Sequence, residues 1–319
     1  MDLILIFAGL VILLVAGDFL VKGAVSLSLR LGIPALIVSF TIVGFGTSAP
    51  ELLIAVQSAM AGAPGLALGN VVGSNIANIL MVLGVPALFV ALDTTKCNTR
   101  RTYIQMLGVS VIFVALCYLG PLYIWQGVVL LSLLGAMLWD AFRSARSARH
   151  CVGEHTIAPE DLAELEDADP DMPLWQIAGY MIVGLVGLPF GADVLIDGAV
   201  GLARDMGISE EVVGLTIVAI GTSLPELATT VAAAFRRQAD VALGNVIGSN
   251  MFNLLAIMGV ASFFGPLDVS PQFLHMDLWI MLVASVLLAL FVFFPLKITR
   301  KWGIMFLTAY GAYVYFLLF

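Results

Sequence analysis

Charge is what this sequence has least of: Asp, Glu, Lys and Arg make up 11% of its 319 residues, and 61% are hydrophobic. So little charge excludes an ordinary water-soluble domain. Cysteine and histidine are equally scarce, at three each. Cys97, Cys117 and Cys151 have no zinc-site spacing, and their odd number leaves at least one unpaired, so neither a disulfide framework nor a metal cage is expected. The fourteen basic residues are too few and too scattered to suggest nucleic-acid binding. The formal charge of −8 is uninformative about ligands, because eight acidic residues fall in one segment, Glu154 to Asp171. No basic stretch and no small-residue cleavage site accompany the first apolar run, which reads as a retained span.

What is abundant is apolar sequence in runs long enough to cross a bilayer. At about 20 residues per crossing, ten spans are expected, near 2–29, 35–60, 66–92, 102–119, 122–142, 175–203, 211–235, 240–265, 274–295 and 301–319. The predicted fold is an all-α membrane protein with a five-helix half at 1–142, a cytoplasmic linker at 143–174 and a second five-helix half at 175–319. With the N-terminus outside, thirteen of the fourteen basic residues face the cytoplasm and only Arg204 lies outside. Both termini are then extracytoplasmic.

A shift of 175 residues lays 18–85 on 193–260 without a gap, with 32 of 68 pairs identical. Chance does not produce this. Gly46-Thr47-Ser48-Ala49-Pro50-Glu51 matches Gly221-Thr222-Ser223-Leu224-Pro225-Glu226, and Gly69-Asn70-Val71-Val72-Gly73-Ser74-Asn75 matches Gly244-Asn245-Val246-Ile247-Gly248-Ser249-Asn250. Asn78 and Asn253 extend the match. Five spans is an odd number, so the second half enters the membrane from the opposite side, and the repeats are inverted, which is transporter architecture.

Glu51 and Glu226 fall well inside predicted spans, where an uncompensated charge costs from about 3 to more than 10 kcal/mol. Neither motif holds Lys or Arg, which leaves bound cations or protons as compensators. On a helix, Thr47 and Ser48 share the Glu51 face, and Thr222 and Ser223 share that of Glu226. Gly44, Gly46, Pro50, Gly221 and Pro225 weaken the helix there, and each proline frees a carbonyl four residues earlier. Ser74, Asn75 and Asn78, with Ser249, Asn250 and Asn253, add hydroxyl and amide oxygens. Singly, such residues serve close helix packing or interhelical bonding. Recurring at identical spacing about a membrane-embedded glutamate in both halves, they describe an all-oxygen site suited to hard cations such as Ca²⁺ and Na⁺. Asp18 and Asp193 also match; Asp18 has Lys22 four residues on as a local partner, and a helix-orienting or pathway role is expected. Asn70 and Asn245 read as structural.

The duplicated Gly-Thr-Ser-x-Pro-Glu and Gly-Asn-x-x-Gly-Ser-Asn segments resemble the two alpha repeats of the cation/calcium exchanger family, most closely its prokaryotic sodium/calcium exchangers, over essentially the whole chain. The resemblance implies ten helices. It also implies that Glu51 and Glu226 ligate both Ca²⁺ and Na⁺, with oxygens from Thr47, Thr222 and the carbonyls near Gly44 and Ala219. Ser48, Ser74, Ser223 and Ser249 would complete the sodium sites; Asn78 falls where the family has an amide, and Asn253 where some potassium-dependent relatives carry Asp.

The expected function is exchange of Na⁺ for Ca²⁺ by alternating access in the lipid bilayer of a bacterial inner membrane, the two glutamates holding one Ca²⁺ or several Na⁺ and only loaded states letting spans one and six slide. No cofactor beyond the transported ions is expected. One alternative is a Ca²⁺/H⁺ antiporter on the same fold. The other, a membrane-embedded metal enzyme, lacks a His or Cys ligand near the glutamates. The linker reads as solvated, with one short helix from Pro159 to Asp167. His150 and His155 read as exposed.

Overall fold

The structure, a computed structural model, describes residues 2–31, 38–62, 64–94, 99–152, 172–205, 221–271, 273–294 and 296–318. Eleven helical elements result: α1 Asp2–Leu31, α2 Ser39–Thr47, α3 Ala49–Met60, α4 Pro64–Ala87, α5 Arg100–Tyr118, α6 Ile124–Val152, α7 Leu174–Asp205, α8 Leu224–Phe235, α9 Ala239–Ala261, α10 Phe273–Phe293 and α11 Arg300–Leu318. No strand occurs among the described residues, as hydrocarbon demands of an open chain whose backbone must satisfy itself within each segment. Among the described residues seven helices are long and apolar enough to cross a membrane, and α2 and α3, bent by 50° at the break between them, pass the same test together. The helix α8 covers the inner part of the expected seventh span; residues 206–220 before it lie outside the described residues.

The apolar core falls into two clusters. The larger is built mainly from α3 to α6 and α8 to α11, with Val21 and Val25 of α1 and Phe40 of α2, and α9 is buried along nearly its whole length within it. The smaller joins α1 to α7 through Leu13, Ala16, Leu20, Ile177, Met181 and Leu188, and takes in Val43 of α2 and Ala228 of α8. Small residues set that seam. A β-carbon on Gly184 would lie 2.6 Å from Leu20 Cβ, and one on Gly9 would lie 2.5 Å from the Leu195 nitrogen, so the two long helices meet backbone to backbone. The seam runs antiparallel, with Gly9 against Leu195 and Gly23 against Met181. At roughly 1.5 Å per residue, the 30-residue α1 and 32-residue α7 exceed the hydrocarbon thickness.

Two short backbone bridges tie the bundle's connections: Leu92 exchanges both bonds with Ile298 at 3.0 Å, and Leu122 exchanges bonds with Leu267 at 3.0 and 3.1 Å. Leu92 and Leu267 are themselves 175 residues apart, so the correspondence of the halves extends beyond the aligned repeats.

The expected span 122–142 is found at Ile124–Arg143, and its helix α6 runs on to Val152, because Arg143-Ser-Ala-Arg-Ser-Ala-Arg149 contains neither Gly nor Pro and alternates good helix formers. The expected helix Pro159–Asp167 and His155 lie outside the described residues. One expectation needs correction, the local partner of Asp18: its carboxylate accepts from Arg236 Nε at 2.6 Å, whereas Lys22 stands with its ammonium 5.6 Å from the centroid of the Tyr180 ring. A guanidinium presents a planar fork of donors that the flexible lysine cannot match.

Gly184→Ala should therefore lower the apparent melting temperature of the purified protein by several degrees, since overpacking a tight seam costs about 1–3 kcal/mol. Gly179→Ala, whose β-carbon would meet nothing within 4 Å, should not. Equal melting curves for the two variants would contradict the close seam.

Candidate cation site

The chain breaks at the same point in both halves. Ser48 has φ −86° and ψ 8°, and Ser223 has φ −90° and ψ 5°, each directly before a helix whose first turn holds a proline and a glutamate. Proline fits there because its missing N–H would be unpaired in any case. A glutamate in a first turn also faces the positive end of the helix dipole, which favours its charged form. A serine in the capping position ordinarily bonds its own helix, yet neither Ser48 nor Ser223 does so. Instead the Ser48 hydroxyl donates to Glu226 Oε1 at 3.1 Å, and Ser249 reaches the same oxygen at 3.5 Å.

Glu51 and Glu226 are buried, 1% and 0% exposed, and close enough to repel one another. Thr47, Thr222, Ser48, Ser223, Ser74, Ser249, Asn78 and Asn253 are likewise buried. The Gly44 carbonyl accepts from Thr47 Oγ1 at 3.3 Å and from Ser249 Oγ at 3.4 Å. This meeting depends on Gly248, since a β-carbon there would sit 2.6 Å from the Phe40 carbonyl oxygen and push α2 off α9. Ala219 lies outside the described residues.

Four asparagines knit the halves together. Asn75 Nδ2 donates to the Asn250 carbonyl at 3.2 Å and Asn250 Nδ2 to the Asn75 carbonyl at 3.3 Å. Asn78 Nδ2 donates to Asn250 Oδ1, and Asn253 Nδ2 to Asn75 Oδ1, both at 3.0 Å. The bonds are reciprocal across the 175-residue shift. They also decide which way the amides point: with the nitrogens committed, Asn78 Oδ1 and Asn253 Oδ1 are left without a donor. A π-helical turn begins at each of these two residues, at Asn78–Val82 and Asn253–Ile257. Such wide turns recur at functional sites.

Five buried oxygens near the break lack a hydrogen-bond partner: Glu51 Oε2, Glu226 Oε2, Asn78 Oδ1, Asn253 Oδ1 and Ser223 Oγ. Four can only accept when the glutamates are ionised, and burying them unpaired costs about 1–3 kcal/mol each, more for the charged ones. Hard acceptors without donors are the chemistry that a cation would satisfy.

Sequence reasoning counted Asn75 and Asn250 among the oxygens of the site, whereas their Oδ1 atoms accept from Asn253 and Asn78 and so hold those amides in place. Asn245, read as structural, donates to the Glu226 carbonyl at 3.2 Å and to Thr230 Oγ1 at 3.1 Å, while its Oδ1 lies 3.5 Å from Thr47 Oγ1. Asn70 Oδ1 correspondingly lies 3.4 Å from Thr222 Oγ1.

The sodium/calcium exchanger protein family matches residues 1–142 and 176–319. Inner membrane protein YrbG of Escherichia coli strain K12 is 36% identical, the match covering 90% of this chain and 87% of that protein. Sodium/calcium exchanger MaX1 of Methanosarcina acetivorans is 28% identical, with 98% and 97% covered. The structure of the sodium-calcium exchanger NCX_Mj soaked without Na⁺ and Ca²⁺ superposes with a TM-score of 0.82 at 29% identity, covering 99% of this chain and 98% of that one. Match and architecture agree that this chain is a multi-pass membrane transporter and no enzyme, and that it belongs to the sodium/calcium exchanger protein family.

Proposed function

We propose that this protein exchanges Na⁺ for Ca²⁺ across a bacterial inner membrane by alternating access, with Glu51 and Glu226 as the shared ligands of both ions. The observation that carries this reading is the set of five partnerless buried oxygens, two from glutamates that no Lys or Arg neutralises within their motifs. One Ca²⁺ balances two carboxylates and takes about six to eight oxygens. Glu51, Glu226, Thr47, Thr222, Asn78, Asn253 and the carbonyls of Gly44 and Ala219 are the proposed calcium donors. Ser48, Ser223, Ser74 and Ser249 add the oxygens that let smaller charges, Na⁺ ions, occupy the same region. Because the two ions use the same carboxylates, their binding is mutually exclusive, and that exclusion makes the carrier an exchanger.

The halves are proposed to be inverted five-helix repeats, ten spans in all, with the N-terminus outside. The reciprocal asparagine bonds support this, since a contact of i with j′ matched by one of j with i′ is the mark of a two-fold relation. The long glycine-lined seam between α1 and α7 supports their moving together as a pair. An empty site would carry two uncompensated charges into the closed, low-dielectric interior, so only loaded carriers cross. The relatives MaX1, a sodium/calcium exchanger, and YrbG, an inner membrane protein, support the choice of ions and membrane.

Proteoliposomes loaded with sodium and diluted into sodium-free buffer should accumulate calcium, and sodium-free vesicles should not. Glu51→Gln and Glu226→Gln should each reduce uptake to background. Uptake driven by a proton gradient without sodium would instead assign proton coupling. A further expectation follows from the shared carboxylates: acidifying the calcium-facing side should raise the half-saturating calcium concentration and leave the maximal rate unchanged, as protons compete for the same oxygens. A fall in maximal rate at constant half-saturation would contradict competition at the glutamates.

A further inference from the structure

The correspondence between the halves fails at one pair of charges. Asp18, on α1, accepts from Arg236 Nε at 2.6 Å, and Arg236 caps the C-terminus of α8, the helix whose first turn holds Glu226. The equivalent of Asp18 is Asp193 on α7, but the equivalent of Arg236 is Ala61, just past the end of α3. The first half therefore offers no guanidinium to Asp193, which is exposed. The ion pair is also partly sheltered, with the Arg236 side chain 17% exposed and that of Asp18 43%.

This one-sided pair ties α1, which packs along α7 from Gly9 to Gly23, to α8, whose first turn carries Glu226. One residue before Asp18, α1 lies against the α8 backbone: a β-carbon on Gly17 would stand 2.9 Å from the Ala228 carbonyl oxygen. With the N-terminus outside, Arg236 stands at the cytoplasmic end of α8. If the two halves exchange conformations as inverted repeats do, Asp18 must leave Arg236 in the opposite state, and Asp193 would then approach Ala61, where no base waits.

We propose that Asp18–Arg236 is a one-sided latch that closes the cytoplasmic approach to the cation site and biases the carrier toward its outward-facing state. It rests on the alternating-access reading above. Neither residue touches the transported ion; both are positioning residues. The latch stabilises one state alone, so it alters the apparent affinity on the two faces in opposite directions, whereas a merely structural contact alters both alike.

The test measures half-saturating calcium in right-side-out and inverted membrane vesicles carrying the full chain. Arg236→Gln and Asp18→Asn should lower the cytoplasmic value about threefold and raise the outer one. The charge swap Asp18→Arg with Arg236→Asp should restore both. Adding Ala61→Arg to Arg236→Gln, which gives Asp193 a partner in the opposite state, should lower the cytoplasmic value further. Values that move together on both faces, or a swap that restores nothing, would overturn the latch.

A second readout needs no ion gradient. With Cys97, Cys117 and Cys151 replaced by Ser, Ala228→Cys lies beneath Gly17 and should react with an impermeant maleimide faster from the cytoplasmic side once Arg236→Gln is added. An unchanged rate would count against the latch even if the wild type moved no calcium, an outcome that would sink the proposed transport separately.

Discussion

Two carboxylates buried at membrane depth, with no cationic side chain in either motif, are the constraint on which the rest of this structure depends. Each would be costly alone, and their proximity adds mutual repulsion. The surroundings lower that cost without cancelling it. Each glutamate sits in the first turn of a helix, and Ser48 and Ser249 donate to Glu226. A full complement of donors, or an arginine, would have satisfied the carboxylates; the partial satisfaction is what leaves acceptors for the proposed cation.

Other features follow from holding that site. The halves must present their oxygens to one another, so α2 and α9 approach at Gly44 and Gly248, where a side chain would separate them. The amides of Asn78 and Asn253 must point their oxygens inward, and the Asn75–Asn250 exchange uses up their nitrogens. The helices α1 and α7 pack along their own glycine-lined seam, while Val21 and Val25 of α1 also join the larger cluster and Ala228 of α8 joins the smaller.

Much of this was legible in the sequence because it is written twice. The repeat located the helix breaks at Ser48 and Ser223, since glycine and proline around a membrane-embedded glutamate leave few other conformations. It also named the oxygen-bearing side chains that the fold gathers. Periodicity could not reveal the π-helical turns at Asn78 and Asn253, because one extra residue per turn barely alters an apolar pattern. The Asp18–Arg236 pair was illegible for a different reason: its partners are 218 residues apart, and Lys22 offered a nearer, plausible answer. Composition likewise marked 143–174 as linker, although its first ten residues continue α6.

The central claim is that one divalent cation sits between Glu51 and Glu226, held by oxygens from both halves. It is tested most directly by anomalous diffraction from crystals soaked in a calcium or strontium salt without sodium, and again with sodium added in excess. The account predicts a single strong peak within coordination distance of both carboxylates and of Asn78 and Asn253, displaced when sodium is added. A peak bound by one glutamate alone, or one that persists unchanged in excess sodium, would contradict it.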